Sequence, residues 1–383
     1  MGTSLIQSLL IQAYFKRMGP LNQAEKDQLS TRILQELSQT PYACTSLTEL
    51  SGGTANFVYR GILAQPLLRQ DDGIATAIAS VIVKHTTEFA AVNRDFFLDV
   101  SRCIFEESML NALNAFPSTT AAAQVSTKTP RLYLFNRITN TQVHEDFTDT
   151  IDFKSIIVSP STNAILTRSL ATFIGRALGT WMRSFHTWAS APEQMDLRST
   201  IEMNDPMRKL KCLVTYESFI SILENFPDIL EGYRKTLEGV RDSGIKEFDK
   251  LVGDETDDWG IIHGDFWTGN VLLPNTTLQL QSNVEGIKLY IIDWELAQIG
   301  HRAYDLGQML GDLYERKHFH NVEGSVWTIE GFMDGYGGLS NDIAFRTAIH
   351  IGVYLICWLT NPIPAINSLA IHKGLACQDY QEC

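Results

Sequence analysis

Two short polar segments in the second half of the chain carry residue types that could do chemistry. The first is a His-Gly-Asp segment that contains Asp265 and ends at Asn270, and the second is an Asp-Trp-Glu segment from Asp293 to Glu295. A carboxylate such as that of Asp265 can accept or orient the proton of an attacking hydroxyl. Oxygens of the kind that Asn270, Asp293 and Glu295 offer are the ligands that Mg2+ prefers. Together these groups are what phosphoryl transfer requires.

Two further residues are expected to hold these segments in place. The imidazole of His263 can hydrogen-bond the backbone around Asp293 and fix the loop, which we favour over direct proton transfer. Asp305, which follows the second segment, is predicted to tie down the loop of Asp265 or to cap the next helix.

Predicted strands flank both polar segments. The runs Trp259–Ile262 and Ile287–Ile292 are typical of short strands, and the polar stretch Leu278–Glu285 is predicted to be a loop. Asp293 directly follows the second run, so its carboxylate would project from the rigid end of a strand. Functional groups often lie on loops that such a framework positions.

A second set of candidate residues lies near the N-terminal side of the chain. Gly52, Gly53 and Asn56 lie between two predicted strands. Glycines permit a tight turn and let backbone N–H groups approach phosphates. Taken alone, two glycines in a hairpin are more often only a hairpin.

The residues that follow this hairpin favour the phosphate-binding interpretation. Lys84 ends an apolar strand, and Glu106 lies on the next predicted helix. A lysine held by a glutamate in this order can contact the α- and β-phosphates of a nucleotide. We prefer Glu106 to Glu107 because Leu110 then lies one helical turn further on and packs inward.

The segment from His144 to Phe147 follows a strand and would link two halves of the chain. Backbone groups of Glu145 and Phe147 are predicted to pair with the edge of an adenine base, and His144 is expected to be buried and hydrogen-bonded. The alternative is an ordinary acidic turn.

The spacing of apolar residues predicts an α+β fold. Residues 4–18, 22–38 and 96–116 have helical spacing, whereas the first 150 residues are otherwise rich in short β-like stretches. The predicted strands of this part are Ser46–Leu50, Phe57–Leu63, Ile78–His85, Arg131–Ile138 and Gln142–Glu145. The predicted helices of the second part are Asn163–Trp188, Pro206–Asn225, Ile229–Lys250, Ala303–Tyr314, Val326–Tyr336 and Asn341–Thr360. We expect a helical extension over residues 1–40, a nucleotide-binding β-rich lobe over 41–147, and a helical lobe with the catalytic loop and acceptor site over 148–383.

Composition restricts the classes of partner. The 383 residues carry a formal net charge of −13, which argues against nucleic acid or an anionic membrane and is compatible with a cationic small molecule. No apolar run reaches membrane-spanning length, and we recognise no signal peptide or lipidation motif. The six cysteines are widely spread, as expected of reduced thiols in a cytoplasmic protein. We expect a monomer or a homodimer.

Several of these segments resemble one known family. The stretches Asp265–Leu273, Ile291–Leu296, Asp305–Gly307 and Leu50–Gly53 are similar to those of the aminoglycoside phosphotransferase/choline kinase family, which has a bilobal protein-kinase-like fold. The likeness is greatest to methylthioribose kinases and their fungal relatives, which have Asp-x-Glu where protein kinases have Asp-Phe-Gly.

The resemblance implies the roles of individual residues. It implies ATP and Mg2+ as cofactors, with Asp265 as catalytic base. It implies Asn270, Asp293 and Glu295 as metal-site residues, and Lys84 with Glu106 as the pair that positions the phosphates.

The acceptor is expected to be a small metabolite with a hydroxyl group. Methylthioribose kinases tend to have His and Ser where this chain has Trp267 and Asn270, which counts against methylthioribose as the acceptor. The net negative charge, the aromatic residues and the resemblance to the fungal relatives favour an amine-bearing alcohol or phenol over a sugar. Trp267 could form an aromatic wall for the acceptor or could pack the loop, and further candidate wall residues are Tyr304, Asp312 and Trp358. Nucleotidyl transfer and a non-catalytic nucleotide-binding protein are the alternatives on the same fold.

Overall fold

The computed structural model describes residues 19–71, 74–116, 125–163, 166–249, 258–275 and 287–359. The predicted helix over 4–18 and the predicted loop Leu278–Glu285 lie outside these residues. The chain forms two compact units, of which the first comprises Met1–Val100 and Leu132–Asp146, and the second comprises Ser101–Arg131 and Phe147–Cys383.

The described residues contain helices and strands in nearly equal number. The helices are α1 (Gln23–Leu37), α2 (Arg102–Leu113), α3 (Phe153–Val158), α4 (Pro160–Asn163), α5 (Arg168–Ala189), α6 (Met195–Glu202), α7 (Asp205–Cys212), α8 (Phe219–Leu223), α9 (Pro227–Phe248), α10 (Ala303–His320), α11 (Glu323–Tyr336) and α12 (Asn341–Leu359). The strands are β1 (Cys44–Glu49), β2 (Phe57–Asp71), β3 (Ile74–His85), β4 (Phe89–Ala90), β5 (Asn93–Phe97), β6 (Val125–Lys128), β7 (Leu132–Asn136), β8 (Thr141–Glu145), β9 (Thr150–Asp152), β10 (Trp259–Ile262), β11 (Val271–Pro274), β12 (Ile287–Ile291) and β13 (Gln298–His301).

The first unit is built on a five-stranded antiparallel sheet with the strand order β1-β2-β3-β8-β7. α1 begins at a capping box, in which the side chains of Asn22 and Glu25 accept each other's backbone N–H groups. Its apolar side packs on the sheet, because Ile33 is buried in one cluster with Phe57 and Val83. The N-terminal helix therefore shares the core of the sheet.

The second unit contains the other helices, a four-stranded sheet of order β6-β12-β11-β9, and the strand pair β10–β13. β11 and β12 are antiparallel, with Val271 opposite Ile291. The backbone N–H of Ile292 continues this pairing and donates to the Asn270 carbonyl at 3.1 Å. The two polar segments therefore meet at one end of a strand pair.

α10 is the most deeply buried helix around these segments. Every residue from Ala303 to Leu313 is buried, although Asp305, Gln308 and Asp312 are polar. Their spacing places the three polar side chains on one face of the helix. Gly307 allows α12 to approach closely, since a Cβ there would lie 2.8 Å from the Cβ of His350.

Several predicted helices have different boundaries in the structure, and two of them differ for a visible reason. The helix predicted over 96–116 is α2 and begins only at Arg102, because the residues before it pair as β5 with β4. The helix predicted over 206–225 is divided into α7 and α8 by a π-helical turn at Leu213–Glu217. No helix among the described residues is long and apolar enough to cross a membrane.

Candidate active site

The carboxylate of Asp265 is held by two side-chain amides. Asn270 Nδ2 donates to Asp265 Oδ2 at 3.1 Å and to its carbonyl oxygen at 2.9 Å. Gln308 Nε2 donates to Asp265 Oδ1 at 2.5 Å. Each carboxylate oxygen thus accepts one N–H and retains a further lone pair, so Asp265 is oriented and can still accept a proton.

Asp305 anchors the loop that carries Asp265. Its carboxylate accepts the backbone N–H groups of His263 at 2.8 Å and Gly264 at 3.0 Å, and His186 Nε2 lies 3.1 Å away. Burial alone would raise the pKa of Asp305, but the hydrogen bonds from His186 and the loop lower it. The predicted loop-tying role of Asp305 is confirmed.

The backbone of this loop requires glycine at position 264. Its φ is +79°, and a Cβ would lie 2.1 Å from the carbonyl oxygen of Leu296. A side chain there would therefore be strained both by its backbone conformation and by lack of space.

His263 has the structural role that the sequence predicts. Its Nδ1 accepts the Asp265 N–H at 3.3 Å, so Nε2 carries the proton and donates to the Ile292 carbonyl at 3.1 Å. Burial lowers the pKa of His263, which keeps the ring neutral. The imidazole therefore joins the loop of Asp265 to the residue before Asp293.

Asn270 and Asp293 have the features of a site for a hard cation. Because Asn270 Nδ2 faces Asp265, its Oδ1 is directed away from that carboxylate. Asp293 follows β12 with a φ of +68°, a left-handed conformation that is uncommon for residues other than glycine and often marks functional sites. An amide oxygen and a carboxylate at one strand-pair end match the donors that Mg2+ takes.

The metal role predicted for Glu295 stays a prediction, and its carboxylate has a cationic side chain as a partner. Its carboxylate is buried, and Oε2 lies 3.3 Å from Nε of the buried Arg102 on α2. Glu106, also on α2, accepts the Trp294 N–H at 3.3 Å. The side chains of α2 therefore hold the Asp-Trp-Glu turn, and Arg102 gives Glu295 a cationic partner other than a metal ion.

Asp312 binds the loop that follows Asp265. The buried carboxylate accepts the Thr268 N–H at 3.2 Å and the Thr268 hydroxyl. It also accepts Arg316 Nη2 at 2.9 Å. With these partners Asp312 holds the turn before Asn270, which differs from the acceptor-wall role predicted from the sequence.

Tyr304 and Trp358, both predicted as acceptor-wall residues, belong to one apolar cluster of the second unit. Tyr304 is buried, stacks on Phe248 with 5.1 Å between ring centroids, and donates its hydroxyl to Glu247 Oε2 at 2.7 Å. Trp358 is half-buried and stacks on Tyr354 at 5.9 Å. Both side chains therefore have packing roles in this structure.

Trp267 is half-buried beside the loop of Asp265. Lys154 Nζ of α3 lies 5.1 Å from the centre of its ring, within the range of a cation–π contact. A Cβ on Gly269 would lie 2.4 Å from the indole, so this glycine makes room for the ring. The indole thus both packs on the loop and already attracts an ammonium group.

In the first unit, the glycine hairpin has the backbone that the sequence predicts. Gly52 has a φ of +107°, and a Cβ on Gly53 would lie 2.9 Å from the Asn56 carbonyl oxygen. The Asn56 side chain is buried and accepts the Thr86 hydroxyl at 3.0 Å, which joins the hairpin to the end of β3.

Lys84 is buried on β3 of the same sheet, opposite Gln142 on β8. Burial and the charge of Lys84 lower the pKa of His144 to about 3. The Nε2 atom of His144 lies 3.3 Å from Gln142 Oε1. The expectation of a buried, hydrogen-bonded His144 is confirmed. Lys84 belongs to the first unit and Glu106 to the second, and their pairing stays a prediction.

The segment predicted to bind adenine is anchored by a residue that the sequence did not single out. Asp146 accepts Arg60 Nε at 2.8 Å, Arg60 Nη2 at 3.0 Å and the Ser80 hydroxyl at 2.7 Å. These bonds tie the end of β8, where Glu145 lies, to β2 and β3. In the second unit, the ring of Phe147 stacks on Tyr290 of β12 with centroids 3.8 Å apart.

The described residues contain one other group whose side-chain oxygen and nitrogen atoms lie close enough together to hold a metal ion. It consists of Asp258, His301 and Asp342. His301 Nδ1 accepts the Ala303 N–H at 3.2 Å. In a neutral ring Nε2 then carries the proton and cannot coordinate a metal. This group contains none of the predicted metal-site residues.

Comparison with known proteins identifies relatives over most of the chain. The model of the phosphotransferase enzyme family matches residues 174–337. Phosphotransferase FrzJ of Cladobotryum sp is 31% identical over 342 residues, which cover 87% of this chain and 85% of that protein. The 4-hydroxytryptamine kinase of Psilocybe cyanescens is 20% identical over 318 residues, which cover 82% of this chain and 81% of that protein.

Two solved structures have a similar fold at low sequence identity. The GDP complex of a mutant aminoglycoside 2'-phosphotransferase-IIIa has a TM-score of 0.51 and 15% identity, covering 91% of this chain and 95% of its own. Amicoumacin kinase hAmiN, in complex with AMP-PNP and Ca2+, has a TM-score of 0.50 and 12% identity, covering 94% and 92%. The predicted protein-kinase-like α+β fold is confirmed.

Proposed function

The chain belongs to the phosphotransferase enzyme family, and we propose that it is an ATP- and Mg2+-dependent kinase that transfers the γ-phosphate to a hydroxyl group of a small metabolite. One observation supports this most directly. The carboxylate of Asp265 is held at both oxygens by amide donors, on a loop joined through paired strands to the left-handed Asp293.

Asp265 would orient the acceptor hydroxyl and take its proton as the bond from the acceptor oxygen to the γ-phosphorus forms and the bond from that phosphorus to the leaving ADP breaks. Asn270 and Asp293 would hold Mg2+, which when bound offsets negative charge on the phosphates. Glu295 would act through Arg102, because the buried ion pair at 3.3 Å keeps the Asp-Trp-Glu turn in place. In this proposal Asn270 and Asp293 bind the metal, and Glu295 stabilises the turn that carries Asp293.

The first unit would bind the nucleotide. Gly52 and Gly53 would bring backbone N–H groups to the phosphates, and Lys84 would place its charge on them. A neutral His144 beside Lys84 supports this assignment, because it leaves the lysine as the cation of that part of the sheet. Glu145, at the end of β8, would offer backbone groups to the adenine edge, and so would Phe147.

The acceptor would be an amine-bearing alcohol or phenol. One relative is a 4-hydroxytryptamine kinase, whose named substrate carries both a phenol and an amine. The Trp267 indole, two residues beyond Asp265, already attracts the ammonium of Lys154 at 5.1 Å, so its faces suit a cation. The net charge of −13 favours the approach of such a molecule.

The test is to incubate the purified protein with ATP, Mg2+ and each member of a panel of acceptors, and to measure the consumption of ATP. The panel includes 4-hydroxytryptamine, choline and methylthioribose. Mass spectrometry of the product distinguishes an added phosphate from an added AMP. We expect phosphate on an amine-bearing member, and a loss of about 100- to 10,000-fold in kcat for Asp265→Asn.

Asp334→Asn, an exchange of the same kind at an exposed aspartate on α11, is the control and should keep wild-type turnover. A wild-type protein without any turnover, or an Asp265→Asn variant as active as wild type, would refute the proposed reaction. Addition of AMP would replace it with nucleotidyl transfer.

A further inference from the structure

A buried lysine lies behind the carboxylate that we assign as the base. Gln308 of α10 is located between them, since its Nε2 donates to Asp265 Oδ1 at 2.5 Å while its Oε1 accepts Lys211 Nζ at 2.6 Å. Lys211, on α7, is 3% exposed and Gln308 is 2% exposed. The three side chains form a continuous chain of hydrogen bonds from the interior to the loop.

The chemistry of the lysine determines the orientation of the amide. An ammonium group only donates hydrogen bonds, so the oxygen of Gln308 must face Lys211. The NH2 end of the same amide then faces Asp265, as observed. The carboxylate of Asp265 favours the same orientation, because it would repel the amide oxygen. Lys211 fixes the other end of the amide and so limits the movement of the group that holds Asp265.

Lys211 is an unfavourable residue for packing alone. Burial lowers its pKa, and the charges of Asp265 and Asp305 oppose this shift. Among the described residues, the hydrogen-bond acceptor of its ammonium is the neutral amide of Gln308. A buried charge without an ionic partner is destabilising, and a methionine of similar length would pack in the same space. Groups that are retained at a cost to stability are commonly functional.

The surrounding backbone is irregular at the same place. The π-helical turn Leu213–Glu217 begins directly after α7, and π-helical turns are frequent at functional sites. Thr215 in this turn donates its hydroxyl to the Lys211 carbonyl at 2.5 Å. The turn therefore contacts the residue that carries the buried ammonium.

We propose that Lys211 and Gln308 are positioning residues, which set the direction of the Asp265 carboxylate for proton transfer. They act through Asp265 and do not contact the acceptor. The inference rests on the proposed function, in which Asp265 is the base.

The experiment compares Lys211→Met, Gln308→Leu and the double variant. The control is Lys209→Met, because Lys209 lies on the same helix with its side chain 76% exposed. The measurements are kcat and KM with the panel member that is phosphorylated or, if none is, the rate of ATP hydrolysis by water. Dissociation constants for ATP and melting temperatures are measured on the same samples.

We expect Lys211→Met and Gln308→Leu each to lower kcat about 10- to 100-fold, as misplacement of a reacting group does. ATP binding should be unchanged, and the control should match wild type. The double variant should be no slower than the slower single variant, because both residues act through one carboxylate.

Stability should change in a different pattern from activity. Lys211→Met should melt at the wild-type temperature or above it, since it removes a buried charge. Gln308→Leu should melt lower, because it leaves Lys211 without its acceptor. The double variant should regain the melting temperature that Gln308→Leu loses, because the buried lysine is no longer present. It should not regain the lost kcat.

Three outcomes would overturn the inference. The first is a wild-type kcat in Lys211→Met or in Gln308→Leu, measured under conditions in which Asp265→Asn has a lowered kcat. The second is a loss of kcat in Lys211→Met that is accompanied by a lower melting temperature, which indicates packing alone. Full activity of Asp265→Asn would instead refute the proposed function, and the inference with it.

Discussion

Replacement of Asp305 by asparagine tests how the loop that carries Asp265 is held. The Asp305 carboxylate is fully buried and accepts three N–H groups, from His263 at 2.8 Å, Gly264 at 3.0 Å and His186 at 3.1 Å. Asparagine has nearly the same shape but only one side-chain oxygen. If this oxygen takes the position that faces His263 and His186, the NH2 group faces the Gly264 N–H, and two donors meet.

The magnitude follows from these contacts. A hydrogen bond to a charged group contributes about 1.5–3 kcal/mol, and a buried N–H left without an acceptor costs about 1–3 kcal/mol. We therefore expect Asp305→Asn to lower the free energy of unfolding by about 3–5 kcal/mol. At roughly 2–4 °C per kcal/mol for a unit of this size, the melting temperature should fall by about 10 °C.

Thermal melting and urea unfolding measure this change, and Asp334→Asn is the matched control. Asp334 is 60% exposed and pairs with Arg176 at the surface, where the same exchange should cost less than about 1 kcal/mol. Turnover of Asp305→Asn should also fall at temperatures where the variant is folded, because the loop of Asp265 is less well held. An Asp305→Asn variant as stable as Asp334→Asn would refute the anchoring role.

Three further predictions concern the same unit. Gly264→Ala should lose about 1–2 kcal/mol from its left-handed backbone alone and more from the contact with Leu296 O at 2.1 Å, measured as a lower urea midpoint; an unchanged midpoint would contradict it. Arg102→Met should lose about 3–5 kcal/mol because it removes the cation that pairs with the buried carboxylate of Glu295, and a second change, Glu295→Leu, should recover most of this loss in calorimetry. Burial and a nearby lysine charge lower the pKa of His350 to about 3, so the unfolded chain takes up this proton below about pH 6.5 while the folded protein does not. His350 should therefore contribute a loss of about 2 kcal/mol of stability between about pH 6.5 and pH 5, and His350→Leu should weaken the dependence of melting temperature on pH by this share.

Local patterns in the sequence predicted much of the framework of the site. The strand predicted over Trp259–Ile262 is β10 with the same bounds, and the predicted contact of His263 with the backbone before Asp293 is present. These features depend on residues that are near one another in the chain or at the ends of apolar strands. Periodicity and turn chemistry therefore determine them.

Boundaries that depend on distant partners were harder to predict. β6, β9 and β13 have no predicted counterpart, because each is short and is defined by pairing with a segment far along the chain. The polar residues of α10 carry a signal in the sequence for contacts with the loop of Asp265. Asp305, Gln308 and Asp312 recur on one helix face, and all three contact the segment from His263 to Thr268.

The sequence by itself determined which groups are available for phosphoryl transfer: a carboxylate at Asp265, and an amide and a carboxylate at Asn270 and Asp293. Only the tertiary structure decided the partners of the other polar groups. It pairs Glu295 with Arg102, from another helix of the second unit, and it places Lys211 behind Gln308, 97 residues further along the chain. The physical reason is that a buried polar group must find its partner among whatever segments pack around it, and spacing along the chain does not specify those segments.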